Sequence, residues 1–376
     1  MDCRRAVLAG MTMLVLAFQT LETLSTAFAD DSAPVDPRAV VARAEALPPG
    51  SINELKAVDI GGIKQWISVR GTSPANPILL FIHGGPGSTT MPESWAFQRA
   101  WEDYFTVVQW DQRGTGKTLV SAGLKPDPDM SIDRMQADTE ELIQYLRHIY
   151  GKDKIFVLGH SWGSILGLKI AQQHPDWLYA YIGVSQVVNG RRNEEVGYAE
   201  TLAEAKAQQN TTAVSELEAL APYPGPDLDS LLHKVGTERK WNLMLGGLIY
   251  GRSRDDRNVL DALSPDYTDA DAAAVLVGER LSRRVLLPGA LDVNFDDFTD
   301  YQCPIFIIAG AHDRTTPASV ASDYFARIRA PSKRFFLIGQ AAHTMFDEAP
   351  GEVLVNLVDY VRPLAPTVAT TAGASP

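Results

Sequence analysis

Apolar residues in this chain gather into short unbroken runs, and the segments between several of them repeat apolar positions at helical spacing. The runs 78–82, 105–110, 155–158, 179–184, 305–309 and 335–338 read as strands buried on both faces. Ahead of them, 55–60 and 64–69 alternate and are separated by Gly61-Gly62, a hairpin signal. Residues 135–150 carry Leu142, Ile143, Leu146 and Ile149 at helical intervals, and 164–173 read as a second helix. Strand and helix in alternation predict an α/β fold: a mostly parallel central sheet with helices on both faces. The alternation stops over 188–287, where helical patterning at 198–208 and 214–220 adjoins Pro222-Tyr223-Pro224-Gly225-Pro226. That stretch reads as an inserted helical lid between a first core part, 53–187, and a second, 288–362.

The chain's ends differ in character from this unit. Residues 1–29 read as a signal peptide, with Arg4 and Arg5, an apolar run over 6–18 and Ala27-Phe28-Ala29 before Asp30. The apolar run is short of the roughly 20 residues a membrane span needs, so no stable span is expected after cleavage. The paired arginines also fit a twin-arginine route. A secreted or periplasmic location follows as an expectation. Residues 30–52 read as a linker with at most one short helix around 37–46, and 363–376 as a disordered tail.

Composition narrows the function classes. A chain of 376 residues, 45% hydrophobic, can bury a sizeable core. A formal net charge of -12 argues against a nucleic-acid partner, which needs clustered Lys and Arg. Cys3 would leave with the signal peptide, so Cys303 has no internal disulfide partner and reads as a small buried hydrophobe. Nothing in the sequence specifies an oligomeric state.

One motif points to chemistry. Gly159-His160-Ser161-Trp162-Gly163 follows the run 155–158 and precedes a helix, the strand-turn-helix setting of a nucleophile elbow. A serine hydroxyl attacks only if a base takes its proton, and the base needs a third group to fix its tautomer. Asp313 follows the run 305–309 and His343 follows 335–338, giving the order serine, acid, histidine. Ser161, His343 and Asp313 are therefore the candidate catalytic residues.

Acyl transfer also needs N–H donors for the developing oxyanion. The amide of Trp162 and that of Gly85, in His83-Gly84-Gly85-Pro86-Gly87, are the candidates. Gly114-Thr115-Gly116-Lys117-Thr118 ends like a phosphate-binding loop, but Asp111 stands where the first glycine belongs. No spacing of His, Cys or Glu suggests a metal set.

Together, His83-Gly84-Gly85-Pro86-Gly87, Trp110-Asp111-Gln112-Arg113-Gly114-Thr115-Gly116 and Gly159-His160-Ser161-Trp162-Gly163-Ser164 make the chain resemble the proline iminopeptidase-like branch of the α/β-hydrolases. The resemblance implies the α/β-hydrolase fold and release of an N-terminal residue, preferably proline, from a short peptide or similar small substrate, with no cofactor. It also implies that Asp111 and Arg113 brace loops. Members of that family hold the substrate's free amino group with lid glutamates, one in a Trp-Glu pair, where this chain has Trp241-Asn242. Glu194, Glu195, Glu200 and Glu204 are the remaining lid candidates for binding it, although a solvated acidic helix face has the same pattern. An esterase or lactonase acting on a small acyl substrate is the alternative.

Overall fold

The computed structural model of the protein describes residues 35–366, so the expected signal peptide and most of the expected tail lie outside the described residues. Eight strands form one sheet in the order β1-β2-β4-β3-β5-β6-β7-β8. β1 (Ile52–Ile60) and β2 (Ile63–Gly71) form the hairpin. Gly61 and Gly62 turn it at φ 58° and 78°, a region that residues with a Cβ rarely enter. β2 pairs antiparallel with β4 (Thr106–Asp111), and the rest of the sheet is parallel: β3 (Ile78–Ile82), β4, β5 (Ile155–His160), β6 (Leu178–Val184), β7 (Ile305–Gly310) and β8 (Lys333–Ile338).

The helices, in chain order, are α1 (Pro37–Ala44), α2 (Gly116–Ser121), α3 (Ile132–Ile149) and α4 (Trp162–Gln173). Five more follow β6: α5 (Gly190–Ala207), α6 (Thr211–Glu218), α7 (Leu228–Met244), α8 (Arg257–Leu263) and α9 (Asp269–Leu291). The last are α10 (Ala318–Arg327), α11 (Met345–Glu348) and α12 (Pro350–Asn356).

Period-two geometry explains why the strands read as continuous apolar runs. Ile78, Leu80 and Ile82 of β3, with Val157 of β5 and Ile307 of β7, enter one core, closed by Leu142 and Leu146 of α3, Ile165 and Ile170 of α4 and Val320 of α10. Their neighbours Leu79, Phe81, Phe156, Leu158, Phe306 and Ile308 enter the opposite core, closed by Phe97, Trp101, Phe346 of α11 and Val353 of α12. Each fully buried side chain of this size contributes about 1.5–3 kcal/mol. Both cores hold the carboxyl ends of β3, β5, β7 and β8 along one rim.

Above that rim the segment after β6 has its own small core, in which Leu217 of α6, Val235 and Trp241 of α7 and Leu287 of α9 meet. Two expected boundaries change, and the short helix expected in the linker is docked on the folded unit. The lid boundary at 287 falls inside α9, which continues to Leu291. The expected linker, 30–52, contains the docked helix α1: Val41 is buried, and Arg38 Nε donates to the carbonyl of Ala262, 2.9 Å away. The expected tail begins inside packed structure, since Arg362–Leu364 form a 3-10 turn and Ala365 is buried in the second core. Among the described residues, no helix is long and apolar enough to cross a membrane.

Candidate active site

β5 delivers Ser161 at its carboxyl end and α4 starts one residue later, so the chain must reverse within a single position. Ser161 takes φ 51° and ψ -118° to do so, a conformation that costs energy in a residue with a side chain and persists only where the surroundings enforce it. The flanking glycines supply the room. A Cβ on Gly159 would lie 2.5 Å from the carbonyl oxygen of Gly163, and one on Gly163 would lie 2.0 Å from that of Ile82. The Ser161 amide donates to the carbonyl of Val184, 3.0 Å away, which ties the elbow to β6.

The structure brings the three residues expected to act together into one hydrogen-bonded line. Ser161 Oγ lies 2.9 Å from His343 Nε2, and His343 Nδ1 lies 2.9 Å from Asp313 Oδ2. An N–H on Nδ1 pointing at the carboxylate leaves the Nε2 lone pair facing the hydroxyl, the tautomer a base requires. Burial pushes the Asp313 carboxyl up, but His343 and Thr316 outweigh it, and the group sits below its ordinary range. Thr315 and Thr316 donate their amides to Oδ1 at 2.8 and 2.9 Å, and Thr316 Oγ1 donates to Oδ2 at 2.7 Å. These threonines escaped the sequence reading, because turn donors after an aspartate are common and carry no signature of their own.

His343 is also held by its backbone. Its carbonyl oxygen lies 3.0 Å from both Ser185 Oγ and His160 Nε2. Its amide donates to the carbonyl of Leu248, 3.1 Å away, beyond the end of α7. Burial first, and then the neighbouring His343, hold the His160 ring well below its usual protonation range. The neutral ring must carry its proton on Nε2 to donate to that carbonyl.

A cavity opens above Ser161 and His343, walled by the glycine turn after β3 and by α5, α7 and α9. Gly85 and Trp162 both line it. Trp162 is the first residue of α4, so its amide has no acceptor within the helix and remains available to a ligand. Gly85 adopts φ 115°, which suits glycine alone.

Of the four lid glutamates singled out, only Glu194 reaches this cavity. It is not free: Tyr223 donates its hydroxyl to it, and Arg239 pairs with it at 2.5 Å. Glu195 and Glu200 are exposed on α5, and Glu204 faces Arg314 at 3.4 Å beside a separate shallow hollow. Their spacing on α5 does not turn them toward Ser161. Asn242, in the Trp-Glu position, is buried and donates to Thr315 Oγ1 at 3.1 Å. Glu238, one turn earlier on α7, is fully buried, paired with Arg239 and bonded by Thr201 Oγ1 at 2.8 Å.

The loop after β4 acts as a brace. Asp111 accepts from Thr89 Oγ1 at 2.7 Å, the Lys117 amide at 2.6 Å and the Tyr267 hydroxyl at 2.6 Å, joining the glycine turn, α2 and the lid. Burial pushes its carboxyl up to about 6 despite those donors. Arg113 donates to Asp138 at 2.8 Å and to the carbonyl of Gly61 at 2.7 Å. Lys117, the residue that mimics a phosphate-binding lysine, pairs instead with Asp271 at 2.8 Å.

Fold and site geometry together define a class. The chain belongs to the α/β-hydrolase fold family, whose model matches residues 77–350, and within it to the proline iminopeptidase-like branch. It is 34% identical over 317 residues to the "Probable aminopeptidase YbaC" of Bacillus subtilis, covering 83% of this chain and 97% of that one. It is 25% identical to the proline iminopeptidase of Neisseria meningitidis serogroup A, over 77% of this chain and 90% of that one. Among solved structures, the proline iminopeptidase-related protein TTHA1809 of Thermus thermophilus superposes with a TM-score of 0.58 at 21% identity, covering 84% of this chain and all of that one. That likeness concerns the fold.

Proposed function

We propose that this protein is a serine hydrolase that opens amide or ester bonds through an acyl-enzyme, and that it acts as an aminopeptidase releasing proline or another small residue from the amino end of short peptides. The observation that carries this reading is the unbroken line from Ser161 Oγ through His343 to Asp313 at the floor of the cavity. Similarity to a probable aminopeptidase over most of both chains supports the peptidase half of it.

In this mechanism Ser161 Oγ attacks the scissile carbonyl as its proton passes to His343 Nε2, and Asp313 stabilises the imidazolium so formed. The amides of Gly85 and Trp162 receive the oxyanion, each donor being worth about 10² to 10³ in rate. His343 returns its proton to the leaving amine. Water then attacks the acyl-enzyme by the same route in reverse, regenerating Ser161.

A fluorophosphonate probe tests the first half: Ser161 should be labelled in folded protein and Ser161→Ala should not. Absence of labelling in the wild type would favour a binding protein on this fold. The second half is tested by comparing prolyl and alanyl arylamides with their N-acetylated forms and with a short p-nitrophenyl ester. A marked preference for the free amine is expected; equal rates would favour a second reading, an esterase or lactonase on a small acyl group. That second reading draws on one observation, the occupation of Glu194 by Arg239. We further propose that the enzyme works after export, which N-terminal sequencing of the secreted or periplasmic protein would test through loss of residues 1–29.

A further inference from the structure

Glu93 lines the same cavity as Ser161 and His343 but belongs to neither the triad nor the lid. It lies between β3 and β4, just ahead of the 3-10 turn Ser94–Ala96, and is 2% exposed. Among the described residues no hydrogen bond or ion pair reaches its carboxyl. The other two glutamates on the cavity wall are matched, Glu194 by Arg239 and Glu279 by Arg283.

Its surroundings sharpen the anomaly. Asp347 of α11, Asp261 of α8 and Asp255 just before α8 all disfavour a negative charge on Glu93, and one guanidinium, Arg257, opposes them. Arg257 is already engaged with both oxygens of Asp255: a terminal nitrogen donates to Oδ2 at 2.6 Å, and Nε lies 3.0 Å from Oδ2 and 3.1 Å from Oδ1. Asp347 Oδ1 is buried with no hydrogen-bond partner. Burial, with Asp347 next, pushes the Glu93 carboxyl well above its usual range. Burial likewise lifts Asp347 to about 6 and Asp261 to about 7. This wall is therefore short of positive charge and gains most from a cation arriving through the cavity. Among the described residues no three such groups are arranged to hold a metal ion.

We propose that the Glu93 carboxylate receives the free ammonium of the substrate's first residue and so determines amino-end specificity. The proposal rests on the aminopeptidase reading. In such a substrate a single Cα separates the ammonium from the scissile carbonyl, so its receptor must face the cavity that holds Ser161, as Glu93 does. An ammonium offers three donors to a carboxylate otherwise without one. Arg239, lying between Glu194 and Glu238, supplies internally the cation that those two carboxylates would otherwise take from a substrate.

The test measures kcat and KM for alanine p-nitroanilide and for its N-acetyl form with wild type, Glu93→Gln and Glu93→Asp, with circular-dichroism melts reporting the fold. Wild type should prefer the free amine. Glu93→Gln should raise KM for it about a hundredfold, with a smaller change in kcat, and erase the preference. Glu93→Asp, which keeps the charge, should recover part of the loss. A folded Glu93→Gln enzyme that keeps the wild-type ratio of free to acetylated substrate overturns this assignment alone. A wild type without any such ratio removes the aminopeptidase reading as well.

Discussion

His160 Nε2 lies 3.0 Å from the carbonyl oxygen of His343, so the residue before Ser161 holds the loop that carries the imidazole facing it. The contact does not pass through Ser161. It joins the end of β5 to the loop after β8, two segments far apart in the chain, and makes their relative position a property of one hydrogen bond and its companion from Ser185.

His160→Ala should therefore slow acyl transfer without disturbing substrate uptake. A fall of about tenfold in kcat for a p-nitrophenyl ester is expected, because a small misplacement of the base is enough. KM should change little. Adding Ser185→Ala should deepen the loss beyond the product of the single effects, since both side chains hold the same acceptor. Independent effects would show that His160 does not position His343.

Asp313→Asn preserves shape but removes the charge facing His343 Nδ1. By analogy with the serine-protease triad, kcat should fall about 10⁴-fold while the melting temperature changes modestly. Steady-state kinetics of the variant beside Ser161→Ala check this; a loss of less than tenfold would remove Asp313 from the mechanism.

Lys117 and Asp271 form a pair of which each side chain is about a tenth exposed, and the Lys117 ammonium also lies 4.7 Å from the centre of the Tyr267 ring. Lys117→Met should leave Asp271 without its cation and lower stability by about 3 kcal/mol, read as a drop of several degrees in Tm. Limited proteolysis should then cut near residues 253–268 sooner than in the wild type. An unchanged Tm would mean that the lid is anchored elsewhere.

Stability should decline as pH rises from about 6.5 to 8. Burial pushes the carboxyls of Glu45 and Asp261 up to about 7, against partial relief from Arg70 and Arg257 respectively. A raised carboxyl holds its proton longer in the folded state than in the unfolded one, so its stabilising effect is present at low pH and lost as pH passes the folded value. His83, pushed down to about 4 by burial, and His160 act in the opposite sense, but only below the ordinary histidine range near 6.5. Asp261→Asn should flatten the decline in Tm across that interval, measured by calorimetry at fixed salt.

Much of the fold was legible because a strand buried on both faces needs an unbroken apolar run, and β3, β5 and β7 have one. The elbow was legible because only glycine fits at 159 and 163, and the candidates Asp313 and His343 because they follow strands that end on the same rim. The proposed amine-binding residue was not. Which side of α5 meets the cavity depends on how the lid docks, so Glu194, Glu195, Glu200 and Glu204 look alike in sequence although one alone faces inward. Glu93 was hidden for the converse reason: it sits in a stretch without periodic pattern between strands, and the charged groups around it come from α8 and α11, distant in sequence. The expected linker and tail contain docked residues because single apolar contacts, Val41 and Ala365, leave no periodic trace.

α9 meets the core along a seam of small residues. A Cβ on Gly278 would come 2.6 Å from the carbonyl oxygen of Gly114, and one on Gly87 would come 2.8 Å from Ser282 Cβ. The same helix carries Asp271, which grips Lys117, and Glu279 and Arg283, which line the cavity over Ser161. Ceiling and floor are thus keyed to each other through contacts too tight for slippage, and bulk introduced along this join would be felt as a change in headroom over Ser161. Evolution or an engineer seeking larger substrates would have to recut that joint rather than enlarge the chamber walls alone.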